Sequence, residues 1–334
     1  MSQIDPILGF DPWFLYPPKN IYEIKHTDHY IKHGEKKKAS RKIYQKVEYD
    51  EYENDGIQNL KAEMDKQNIQ LPKEYNFYII FFQKFQVIFF VFFVQKKNNS
   101  WRRSDYLKMC YCGRFDIKKD LKAALDFIEW KQNINMHTLD EKSLQLLKSG
   151  MIYLLGRDNQ YRPIIYLDCT KINMKSDGEE TIMRSLCVFL DMIRKYMFLD
   201  YYVENWIMVI DTGGLGVFGL PMKGLKLIVG GMQINYCATM DKMYILNPSF
   251  GLSSTWSVIK GFIDPESLEK MSVLKKKEYN LMQQRIPARY IEKKYGGEHE
   301  DITQYWPPVN VYCKENEKHL LINYVEIVKE IQDK

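Results

Sequence analysis

The sequence predicts an α/β protein: a central mixed, largely parallel sheet of about five strands flanked by helices, with a small helical N-terminal module before it. Three observations predict it. From Gly150 onward, short apolar runs alternate with segments of helical period, the pattern of strands joined by helices. Between the first two runs, Arg157-Asp158-Asn159-Gln160 and Arg162-Pro163 read as a hairpin turn, which makes that one pair antiparallel. Ahead of Gly150, Asp116 caps a helix with Leu121, Leu125 and Ile128 on one face. A length of 334 residues with 45% hydrophobic content suffices for one large domain or two. The expected divisions are an irregular arm over 1–56, a helical module over 57–148 with a hydrophobic insert at 77–95, an α/β domain over 149–300, and an extension over 301–334.

In the arm, Pro6, Pro12, Pro17 and Pro18 break any helix early. Lys32 to Lys46 then holds seven Lys and Arg residues against one acid, Glu35. Such a run can sit on anionic lipid at about 1 kcal/mol per charge near the surface. Glu48, Asp50, Glu51, Glu53 and Asp55 follow at once and offset it, so a solvated, disordered or partner-bound arm is expected, with a protein as the partner. The insert Phe77 to Val94, FYIIFFQKFQVIFFVFFV, holds eight of the seventeen phenylalanines. Three readings compete for it. One is a transmembrane or membrane-dipping anchor, against which a central Lys84 costs about 2.5–3.5 kcal/mol. Another is a helix or hairpin packed on the domain. The third is translated AT-rich non-coding sequence.

Strands are predicted at Met151–Leu155, Pro163–Leu167, Trp206–Ile210, Met243–Leu246 and Met271–Leu274. Glu179 to Leu199 reads as a helix with Leu186, Leu190, Ile193 and Met197 in phase, and Lys226 to Met240 as another. From Ser254, Trp256, Ile259 and Ile263 fall at helical spacing with Phe262 beside them. Asp264-Pro265 ends that helix and opens the next, since proline suits the first helical turn. A last amphipathic helix is expected over 315–332, through Leu321, Tyr324, Val325 and Val328.

The residues from Asp105 to Gly297 resemble the CRAL-TRIO lipid-binding domain of the Sec-fourteen-like phospholipid transfer proteins. Arg114-Phe115-Asp116 and Trp130-Lys131 match that family's N-terminal helical module, although Tyr111 and Gly113 stand where it usually has arginines. Tyr236, the strand ending in Asn247, Phe250-Gly251, then Lys260-Gly261-Phe262-Ile263-Asp264-Pro265 and Lys270 match its core in order and spacing. Tyr295-Gly296-Gly297 resembles its closing phenylalanine-glycine-glycine, with Glu292 replacing a proline.

The resemblance implies a non-enzymatic carrier, cytoplasmic and peripheral to membranes, that holds a lipid ligand in an apolar pocket closed by a gate helix. Exposing two acyl chains to water costs on the order of 20 kcal/mol at about 0.8 kcal/mol per methylene, so a carrier needs a dry cavity and a door. The lipid-binding residues it implies are Trp256, Ile259, Phe262, Ile263, Phe250, Tyr236, Ser267 and Lys270. Lys270 sits at the family's headgroup lysine and Ser267 at a nearby hydroxyl, but the headgroup glutamate is replaced by Ala238. Phosphatidylinositol is therefore not expected as the preferred ligand. The alternative is a degenerate member kept as a structural subunit of a larger assembly.

Other signals point elsewhere and fail in context. Asp211-Thr212-Gly213 imitates an aspartic-protease motif, but that chemistry needs a second carboxylate and no second copy exists. Gly214-x-Gly216-x-x-Gly219 satisfies the dinucleotide fingerprint of an oxidoreductase literally, yet Pro221 lies where the phosphate-binding helix should continue. Cys110-x-Cys112 lacks a second Cys/His pair at zinc spacing, so no metal is expected. Six cysteines without a visible signal peptide read as free thiols. A net charge of +5 is too mild for a nucleic-acid partner, and no cofactor is implied.

Overall fold

The computed structural model describes residues 4–71, 75–84, 87–96, 101–213, 229–233, 235–248, 260–261, 263, 265–311 and 314–322; of 75–84, 87–96, 134 and 135 it describes the backbone alone.

Helix α1 (Glu51–Lys66) begins inside the stretch expected to be irregular. Its start is a capping box: Asp50 accepts from the Glu53 amide at 2.9 Å and Glu53 accepts from the Asp50 amide at 3.1 Å. The insert is two strands, β1 (Tyr75–Lys84) and β2 (Val87–Lys96), paired antiparallel from Tyr75–Lys96 to Lys84–Val87 as a sheet of their own. Of the forms left open for the insert, the backbone takes the paired-strand one, and no helix among the described residues is long and apolar enough to cross a membrane. Helices α2 (Arg103–Gly113), α3 (Ile117–Gln132) and α4 (Glu141–Lys148) complete the module. The α2–α3 corner explains Gly113: a Cβ there would sit 2.3 Å from the Asp120 backbone nitrogen, so a side chain cannot fit. Asp116 caps α3 as expected, accepting from the amides of Lys118 and Lys119.

The main sheet has the order β3-β4-β5-β6-β7, built from Ile152–Arg157, Pro163–Asp168, Trp206–Asp211, Met240–Leu246 and Met271–Leu274. The first pair is antiparallel and the others are parallel. The hairpin turn between β3 and β4 is tied by Asp158, whose carboxylate accepts from the Gln160 amide at 2.9 Å and the Arg162 amide at 2.8 Å. Helix α5 (Glu179–Tyr196) lays Leu186, Phe189, Leu190 and Ile193 on one face, in a core shared with Leu154 and Ile165. The other face packs Tyr166, Val209 and Tyr244 against Tyr279, Met282, Ile286 and Tyr295 from the chain after β7. Gly297 closes that segment because a Cβ would fall 1.9 Å from the Ile291 carbonyl oxygen.

Several expectations are corrected. The arm is not solvated: Leu15, Ile21 and Ile43 are fully buried, as is Tyr44 at 1% exposure. Three of the seven residues of its basic run pair within the chain, with Lys32 on Asp50, Arg41 on Glu53 at 2.7 Å and Lys42 on Asp241 at 2.7 Å, while Lys36, Lys37, Lys38 and Lys46 are exposed. Helix α5 ends at Tyr196 rather than Leu199. Of the helix expected over 226–240, the described helical residues end at Asn235, and Met240 is already strand β6. Glu315–Leu320 is a 3-10 helix instead of the first turns of an amphipathic α-helix. Leu321 bridges to Pro18, which ties the end of the described chain to the arm. Cys112 of α2 and Cys237 form a disulfide with Cα atoms 6.1 Å apart, while Cys110, Cys169 and Cys187 are free and buried.

Candidate functional site: an apolar platform with a filled polar corner

Successive strand residues face opposite sides, and residues in register across a sheet share a side. The pairing therefore sets two cross-strand rows on the α5 side of the sheet. One is Ile165–Met208–Met243–Met271 and the other is Leu167–Ile210–Ile245–Val273. All eight are apolar. At the β3 end they merge into the core with α5. Met208 still packs against that core and Ile245 is buried, but toward β7 Ile210, Met243 and Met271 are half-buried, and Val273 is 38% exposed. A parallel sheet is normally covered on both faces, so an apolar platform with this much accessible surface is a floor suited to a greasy ligand.

The polar corner lies beside this floor, where α6 (Pro265–Glu269) runs into β7. Glu266 accepts from Lys270 Nζ at 2.8 Å and from the Ser40 hydroxyl at 2.6 Å, and pairs with Arg114 at 2.6 Å. Its three partners come from the β7 entry, the arm and the α2–α3 corner. Burial would raise the Glu266 pKa, but Lys270, Ser40 and Arg114 outweigh it and lower it to about 2. Lys270, the expected headgroup lysine, is thus already paired with a carboxylate of its own chain. Ser267, on the same short helix, is half-buried.

The remaining predicted residues divide. Trp256, Ile259, Phe250 and Phe262 lie outside the described residues, as does the Gly214–Gly219 pattern. Ile263 is buried. Tyr236 is buried in the core under α5, edge-on to Trp130, and its hydroxyl donates to the Cys187 carbonyl at 3.1 Å. Burial raises its pKa well above the usual phenol value. Ala238 packs with Tyr44 and Leu107 in the space between arm and α2. Asp211 is held structurally: it accepts from the Gly213 amide, Asn247 Nδ2 and the Tyr295 hydroxyl, each at 2.8 Å. Among the described residues no three His, Cys, Asp or Glu side chains stand together as metal ligands do. Glu292, which departs from the family's proline, is buried and joins the Tyr153 hydroxyl to the Ile302 amide.

The platform residues were not singled out from sequence, although the signal existed. Met208, Ile210, Met243, Ile245, Met271 and Val273 have one parity within three predicted strands. What sequence lacks is the register that puts those parities on one face.

Fold and site together define an α/β domain with an apolar sheet floor. A family model described as the CRAL/TRIO domain matches residues 147–297. Over this stretch the chain matches the CRAL/TRIO domain, and the proteins it resembles include Sec-fourteen cytosolic factors. A CRAL-TRIO domain-containing protein of Saccharomyces cerevisiae is 22% identical over 227 residues, covering 60% of this chain and 73% of the relative. The SEC14 cytosolic factor of Kluyveromyces lactis is 23% identical, covering 59% of this chain and 71% of the relative. A phosphatidylinositol/phosphatidylcholine transfer protein of Arabidopsis thaliana is 23% identical over 57% of this chain, which spans only 34% of that longer protein. Among solved structures, the crystal structure of Sfh5 is similar with a TM-score of 0.48 and 16% identity, over 69% of this chain and 82% of that one.

Proposed function

We propose that the chain binds a hydrophobic ligand, a phospholipid or other lipid, on the β5–β7 platform, and passes it between membranes as a carrier without catalysis. The observation that carries this is the accessible apolar floor, Met208 to Val273, inside the stretch that matches the CRAL/TRIO domain. In this reading the segment around Trp256, Ile259 and Phe262 closes over the ligand, and Trp256 dips into the bilayer surface when it opens. Phe250 and Ile263 flank the mouth. Relatives named as phosphatidylinositol/phosphatidylcholine transfer proteins and as cytosolic factors support a cytoplasmic protein working at membrane surfaces.

Phosphatidylinositol is not the preferred ligand in this reading. Ala238 supplies no carboxylate for an inositol ring, and Glu266 already holds Arg114 and Lys270, the cations a headgroup phosphate would use. Fluorescent phosphatidylcholine moved from donor to acceptor vesicles tests the carrier reading. Met243→Glu places a charge in the floor and is expected to cut transfer at least ten-fold with an unchanged circular dichroism spectrum. Equal transfer by wild type and variant would remove the platform from the account. The filled corner also favours a second reading, a scaffold subunit that has given up lipid exchange; it predicts no transfer by either protein.

A further inference from the structure

We infer a second, separate binding site, for a phosphate-bearing anion, in the open cavity lined by the arm, α2, α3 and α5. The cavity holds about 330 Å³. That is room for on the order of ten waters at about 30 Å³ each, or a phosphomonoester with part of its polyol. Its wall is rich in cations, and what decides the question is which of them are already neutralised.

The rim cations are spoken for: Arg102 pairs with Asp200 at 3.4 Å and Lys195 with Asp5 at 2.8 Å. The carboxylates of the wall make their hydrogen bonds elsewhere. Asp191 binds His137 Nδ1 at 2.8 Å. Glu204 accepts from the backbone amides of Tyr44 at 3.0 Å, Gln45 at 2.8 Å and Tyr201 at 3.2 Å. Three cations are left over: Lys108 from α2, Lys131 from α3 and Arg194 from α5. Among the described residues none of them has a carboxylate within ion-pair distance. Each instead lies over an aromatic ring: Lys108 at 5.2 Å from Tyr44, Lys131 at 4.9 Å from Trp130 and Arg194 at 5.8 Å from Tyr236. A ring face steadies a cation by about 0.5–2 kcal/mol but supplies no counter-charge, and Asp191 and Glu204 act on these cations only from beyond pairing distance.

Arg194 supplies the most specific sign. Its Nη1 is buried and has no hydrogen-bond partner. A buried donor left unpaired is expensive, and a guanidinium fork matches a phosphate's oxygens. Burial also lowers the pKa of Lys108, with Glu204 opposing the shift; an incoming anion would reverse it. Burial would raise the pKa of Asp191, but Lys131, His137 and Arg194 outweigh it and lower it, so this carboxylate acts on two of the three cations without pairing with either. This site stands apart from the platform and does not depend on lipid being carried there.

The test is calorimetric titration of the full chain with inorganic phosphate in phosphate-free, low-salt buffer. In parallel, the chain is pelleted with vesicles of phosphatidylcholine alone or with one-fifth phosphatidic acid. Arg194→Gln and Lys131→Gln are the variants; Lys131 is half-exposed, so its replacement spares the fold even if Arg194→Gln does not. Arg289→Gln, over Tyr290, is the control. Saturable phosphate binding weakened at least ten-fold in both site variants, and unchanged in the control, supports a soluble ligand. The same loss confined to phosphatidic acid vesicles supports a lipid headgroup. No saturable binding in either arm, or binding that the control weakens equally, overturns the site.

Discussion

In the proposed carrier, Glu266 is the side chain that sets ligand preference. Its carboxylate stands among Arg114, Lys270 and Ser40 and occupies the cations that the proposal would otherwise give to an anionic headgroup. Glu266→Gln keeps the shape and frees two cations, so affinity for vesicles containing phosphatidylinositol is expected to rise about ten-fold in a flotation assay. The same group sets an acid limit. Its folded pKa is depressed from 4.5 to about 2, so the stability it brings is present above the unfolded value and is lost as pH falls toward 2. About 2.5 units correspond to on the order of 3 kcal/mol. Asp120 acts in the opposite sense. Burial, and then Asp116, raise its pKa to about 7, and its Oδ1 has no hydrogen-bond partner. The unfolded chain ionises first, so stability falls as pH rises from about 4 through 7. Urea melts of Asp120→Asn should show a gain over wild type at pH 8 and none at pH 4.

At the scale of elements, the five main strands were legible because apolar runs bounded by turn residues have few other fates. The start of α1 was legible too, in Asp50-x-x-Glu53, but the acidic run around it read as solvated chain. The arm was not legible. Its buried residues fall at no strand or helix period: short 3-10 turns beside prolines carry Leu15 and Ile21 inward, and Ile43 and Tyr44 lie in irregular chain. The first turns of the last expected helix were misread for a related reason: Leu321 looks helical in spacing, yet its backbone pairs with Pro18 far away in sequence, while 323–332 lie outside the described residues. The platform depended on register, which local pattern does not contain. The hairpin leads to a direct prediction. Tyr75 and Lys96 are opposite one another, so excising 75–96 leaves ends a short Gly-Ser linker can join. Because β1 and β2 pair with no strand of the main sheet, the shortened chain should keep its circular dichroism spectrum and a melting temperature within a few degrees.

For the whole molecule, the arm is the strap that joins module to domain. Arg41 and Glu53 form a buried two-pronged pair at 2.7 Å, Tyr111 donates to the same carboxylate, and Lys42 reaches Asp241 on β6. Removing one partner of a buried ion pair costs about 3–5 kcal/mol. Glu53→Ala should therefore lower stability by that amount in urea unfolding, with arm and domain loosening together. These straps hold the α2–α3 corner against α6, and so hold the filled corner beside the platform. The central claim is that this platform carries a lipid. Native mass spectrometry of the gently purified full chain tests it most directly. The account predicts a mass excess of one lipid, released on collisional activation, and absent from Met243→Glu. A wild-type ion at the bare sequence mass, with no lipid recovered by extraction, would contradict it.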